Sequence, residues 1–155
     1  MTDFLEVHYT LDTREISVSR VSLKAVVSGV LLVLFLDILW SVGLLVLLAG
    51  HVFVEGRSDE QIAQSLQAVT TSMRFLLLSA FFGTLTTIVG GYVAARISKK
   101  FPYFNGLAIG VVGVLYGIAL WTYYPLWFDL LGLFVVVPAA LLGAHIAARR
   151  SIARA

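Results

Sequence analysis

Four stretches of the chain run apolar on every side, at about residues 21–49, 75–97, 104–123 and 127–148. The hydrocarbon core of a bilayer is about 30 Å thick and a helix rises about 1.5 Å per residue, so each stretch is long enough for one crossing. Within each run, apolar and polar residues do not alternate. That sets aside a closed barrel, the other structure that satisfies the backbone in lipid. The pattern predicts an all-α fold, a polytopic membrane four-helix bundle over residues 21–155, built from two tandem helical hairpins and preceded by a cytoplasmic segment, 1–20.

The long connection at 50–73 carries a signal of its own. Ser58 and Gln61 stand at capping-box spacing, and Ile62, Leu66, Val69 and Met73 follow on one helical face. They predict a short amphipathic helix over 58–71, lying on the outer membrane surface or covering the bundle. A solvated turn into the second span is the alternative. In residues 4–20, Val7, Tyr9 and Leu11, then Ile16 and Val18, alternate as two short extended pieces with a turn near Asp12 and Thr13. Pairing in so short a segment is marginal without a partner, and disorder is the expectation.

Composition agrees with a lipid solvent. Hydrophobic residues make up 59% of the 155 and charged residues 13%, about half the share of a soluble domain. The chain has no cysteine, so no disulfide or thiolate metal site is available, and His8, His51 and His145 fall in three separate segments. Neither a metal nor a cofactor is expected. A net charge of +2 gives no reason to invoke a nucleic acid. Asp3, Glu6, Asp12 and Glu15 precede an apolar run too long for a cleavable signal, so the first span is expected to stay in the membrane.

The placement of charge predicts orientation. With both termini inside, Arg14, Arg20, Lys24, Arg96, Lys99, Lys100, Arg149, Arg150 and Arg154 face the cytoplasm, against Arg57 and Arg74 outside. Trp121, Tyr123, Tyr124 and Trp127 crowd the outer turn, while Phe101, Tyr103 and Phe104 mark the inner one. Pro102 and Pro125 stand just before or at the start of a span, where a missing N–H costs nothing.

The second span ends Gly90-Gly91-Tyr92-Val93-Ala94-Ala95-Arg96 and the fourth Gly143-Ala144-His145-Ile146-Ala147-Ala148-Arg149. The match argues for one hairpin duplicated in the same orientation. Gly90 with Ala94, Gly91 with Ala95, and Ala140 with Ala144 and Ala148 form small-xxx-small pairs. Gly106 with Gly110 and Gly113 with Gly117 add a third smooth face, so Gly143 and the rest of this set are expected to let helices approach closely. The terminal arginines then read as interface anchors. The Gly-Gly-Tyr-Val-Ala-Ala-Arg ending resembles that of small four-span prokaryotic membrane proteins of unknown function. The resemblance implies a prokaryotic cell (inner) membrane and supplies no activity.

Asp37 is the group a bilayer tolerates least. It lies 13 residues beyond Lys24 and 12 before Ala49, close to mid-depth. A charged Asp there costs about 2.5–3.5 kcal/mol on insertion scales, so the side chain is either protonated or partnered. Thr84, Thr86 and Thr87 reach the same level in the next span. The cluster taken as the candidate site is Asp37, Trp40, Ser41, Thr84, Thr87 and Tyr116, with Pro138 freeing a carbonyl at similar depth. His51 and Glu55 are placed to pair at the outer edge. His145 reads as interfacial, and Asp129 as a favourable charge in the first turn of its helix. No nucleophile–base pair, phosphate loop or metal-ligand spacing occurs, so an enzyme is not expected. Two functions remain: a non-catalytic subunit acting as a homo-oligomer or within a larger membrane complex, or an oligomeric proton- or cation-coupled transporter or channel using Asp37.

Overall fold

A computed structural model describes residues 21–50, 58–121 and 124–152. Segment 1–20, the His51–Glu55 pair, Arg57 and Tyr123 lie outside the described residues. The rest forms five helices: α1 (Leu23–Ala49), α2 (Asp59–Thr70), α3 (Met73–Ser98), α4 (Pro102–Ala119) and α5 (Leu126–Ile152). All but α2 are long and apolar enough to cross a membrane. The chain is a multi-pass membrane protein with an all-α four-helix bundle.

Local chemistry sets the helix ends. Ser22 caps α1 by accepting from the Ala25 N–H, and Ser72 caps α3 by accepting from the Phe75 N–H. The cap at Ser72 starts α3 at Met73, ahead of the apolar run at Phe75. Ser58 and Gln61 form the reciprocal capping box of α2. Pro102 sits in the first turn of α4, where it displaces no hydrogen bond. Between α3 and α4 the chain reverses at Lys99, whose φ of 50° is the one positive value at a non-glycine among the described residues. There the Lys100 N–H donates to the Ser98 carbonyl at 2.5 Å, closing a tight γ-turn. At the other end α4 stops at Ala119, short of the aromatic belt, while α5 runs on past Arg149 and Arg150.

Successive spans reverse direction, so Lys24, Arg96, Lys99, Lys100, Arg149 and Arg150 gather at one end, here the basic end. The core is concentrated there. Ala94, Ile109 and Ala140 form one buried cluster, flanked by Val26 and Val30. A second joins Ala95, Ala144 and Ala147, with Tyr92 against them. Absent side chains make this packing possible. A Cβ on Gly91 would run into the Ala140 backbone, and one on Gly143 into the Ile88 carbonyl, so α3 and α5 meet backbone to backbone. Gly106 faces Ala144, Gly110 faces Val137, Gly113 faces Val136, and Gly117 faces Leu133 at 3.5 Å, which seats α4 on α5. Gly90 meets Val33 of α1. Gly29 supplies the other half of that crossing, lying against the Gly90 carbonyl and the Ala94 methyl. Ala25 and Gly29, both buried, thus give α1 a small-xxx-small face that the sequence reading confined to the other three spans.

Helix α3 is the hub, packed against α1, α4 and α5, whereas α1 and α5 make no contact among the described residues. Helix α2 touches α1 and α3 at the end away from the basic one. Its Ile62, Leu66 and Val69 are half-buried, and Met73, beyond its last turn, is exposed.

Candidate functional site

Away from the basic end the small residues give way to larger ones and the helices spread. The gap where α1 and α5 fail to meet becomes a cleft of about 1050 Å³, lined by α1, α3, α4 and α5 and by Thr70 at the end of α2. Asp37, Trp40, Ser41, Thr84, Thr87 and Tyr116 all border it.

The carboxylate's own partner is Thr86. Its hydroxyl lies 2.5 Å from Asp37 Oδ1 and 3.0 Å from the Gly83 carbonyl, and its side chain is only 2% exposed. Thr84 and Thr87 instead donate back to their own helix, to the carbonyls of Ala80 and Gly83, both at 2.7 Å. This arrangement serves two protonation states. A charged Asp37 accepts the Thr86 proton; a neutral Asp37 donates to Thr86, which passes its own proton to Gly83. In either state the Thr86 hydroxyl and Asp37 Oδ1 stay hydrogen-bonded to each other.

Around this centre, Trp40 stacks on Phe82 with ring centroids 3.8 Å apart and planes 16° from parallel. Ser41 and Tyr116 are exposed on the open side of the cleft, Tyr116 at 55%. Pro138 lies within an unbroken α5, exposed, and does not border the cleft.

A second carboxylate also borders it. Asp129, in the first turn of α5, has its Oδ2 buried with no hydrogen-bond partner among the described residues. Counting along the helices, Asp37 lies about two and a half turns deeper from the mouth than Asp129. Among the described residues no Lys, Arg or His lines the cleft.

The cationic side chains engage elsewhere. At the basic end, Arg96 and Arg150 each donate to the Tyr92 hydroxyl, at 3.1 and 3.4 Å, with their guanidinium groups 5.8 and 5.7 Å from its ring centre. Tyr103 and His145 share a hydrogen bond of 2.9 Å. Asn105, which the sequence reading did not single out, is fully buried; its Oδ1 accepts from the Ser22 N–H and its Nδ2 donates to the Phe101 carbonyl, both at 2.8 Å.

No family model, curated protein or solved structure matches the chain. Among the described residues no group of three His, Asp or Glu side chains is placed to hold a metal ion.

Proposed function

We propose that the chain is a small, non-enzymatic transporter of protons or other cations, working through the cleft around Asp37. It would sit in a prokaryotic cell membrane with the basic end and both termini in the cytoplasm. The supporting observation is the join of a carboxylate that is hydrogen-bonded in either protonation state to a cleft with no basic side chain among the described residues that line it. In this reading the cleft opens outward and the glycine and alanine crossings close the inner half. The hairpin duplication rests on the sequence match of the two helix endings.

An assembly role is favoured by a different feature. Leu31, Phe35, Ile38, Val42 and Val46 leave α1 broadly exposed, and α1 lacks the α5 contact that would close the bundle. A helix from a second copy or a partner subunit would fill that gap.

Proteoliposomes separate the two readings. With pyranine inside, acid outside and a valinomycin-set inward driving force, the parent protein should acidify the lumen and Asp37→Asn should not, with helical content unchanged. Equal rates in parent and Asp37→Asn would remove the transport reading.

A further inference from the structure

The cleft has three properties that together define what it would hold. Its volume of about 1050 Å³ sits at the top of the usual small-molecule range of about 300–1,000 Å³ and far exceeds what a bare ion needs. Its walls are apolar, supplied by Leu34, Ile38, Phe75, Leu76, Val112 and Val136 among others. Among the described residues that line it, Asp37 and Asp129 are the only carboxylate or basic groups, so the charge they bring is negative.

Each competing occupant fails on one of these. A hard metal cation wants about six oxygen ligands in one shell, whereas these carboxylates lie at different depths on different helices. An anion would meet two carboxylates, with no cationic side chain among the described lining residues to offset them. A lipid tail suits the walls but brings no positive charge to Asp37 and Asp129, leaving both carboxyl groups against hydrocarbon. What remains is a molecule with both an apolar body and a positive charge. The stacked Trp40 and Phe82 rings add an aromatic surface that attracts such a charge.

We infer that the cleft is a binding site for a monovalent lipophilic organic cation, which contacts Asp129 near the mouth and Asp37 at mid-depth with its apolar body against α1, α3 and α5. This rests on the transport reading only in taking the same cleft as the working site. Asp129 thereby gains a role beyond its favourable place at a helix start, as a negative charge on the cleft wall.

Equilibrium dialysis of the full chain in mild detergent, with radiolabelled tetraphenylphosphonium as the probe, tests this directly. The parent should bind saturably, one probe per bundle, and excess neutral triphenylphosphine oxide should fail to compete. Asp129→Asn, nearly isosteric in an end turn of a helix, should weaken binding about tenfold, the loss of one partly screened ion contact. The double variant with Asp37→Asn should reduce binding to the detergent background, while circular dichroism verifies that both variants keep their helices. Unchanged binding in folded Asp129→Asn, full competition by the neutral compound, or no saturable component would each overturn the inference. If binding fails while Asp37-dependent acidification persists, the site assignment is wrong and the transport reading stands. Binding without acidification overturns transport and keeps the site.

Discussion

Glycine in this bundle has two distinct meanings that only its surroundings reveal. Gly91 lies on the α3–α5 crossing, where an added Cβ would collide with the Ala140 backbone, an obstacle no rotamer change relieves. Gly43, in α1, has nothing within 4 Å of the same position. Gly91→Ala should therefore destabilise the bundle by about 1–3 kcal/mol through overpacking. Gly43→Ala should be neutral or stabilise it by up to about 1 kcal/mol through helix propensity. Dodecyl sulfate titration followed by circular dichroism reads both, and equal midpoints would contradict the close crossing. Residue depth was legible in the chain and azimuth was not. A rise of about 1.5 Å per residue placed Asp37 level with three threonines, but successive residues turn by about 100°. Thr84 and Thr86 thus point to nearly opposite sides, and an apolar surface all round the helix gives no stripe to say which side faces a neighbour. Thr86 meets the carboxylate because Gly90 and Gly29, farther down the same pair of helices, fix the rotation of α3 against α1.

At the scale of elements, α1 is most deeply buried toward its two ends, with Val33, Asp37 and Trp40 meeting α3 between them. Near the basic end Ala25 and Gly29 are buried, near the far end Leu44 and Ala49, and the surface between them lies largely open. The link between the starts of α1 and α4 is Asn105, whose amide accepts from the Ser22 N–H, one of the orphan donors at a helix start, while donating to Phe101. Asn105→Leu keeps the branched shape, adds bulk at a fully buried position and removes both bonds. The substitution should cost about 1–3 kcal/mol, because the Ser22 N–H is left in a packed junction without its acceptor. The same titration measures it, and a midpoint equal to the parent's would mean that the junction does not anchor α1. The α2 helix was legible because its capping box and apolar face are local signals that need no partner. Asn105 escaped notice because a single amide at a span edge looks like any interfacial residue until the start of α1 is brought beside it.

Across the whole molecule, small residues at the basic end draw α3 against α1 and α5, while α1 and α5 nowhere approach each other closely and a cleft opens between them toward the other end. Span number and boundaries to within a few residues followed from apolar run length, because lipid leaves the backbone few alternatives. The cleft did not, since it arises from a contact that is missing between α1 and α5, and sequence patterns report the faces a helix has, not the neighbours it lacks. Both the outward opening of the cleft and the order of Asp129 before Asp37 along it depend on which way the bundle is inserted. Lys and Arg counts favour the basic end inside, and cation placement biases insertion for short loops of this kind. The chain has no cysteine, so single cysteines report without background. Ser58→Cys, beside α2, should react with an impermeant maleimide on intact cells, and Ser151→Cys, in the last turn of α5, only after lysis. Reaction of both from one side would require an even number of crossings between them, against the three that α3, α4 and α5 provide, and would dissolve the bundle's membrane topology. Labelling with the two sides exchanged would keep the four spans and turn the cleft, with both of its carboxylates, toward the cytoplasm.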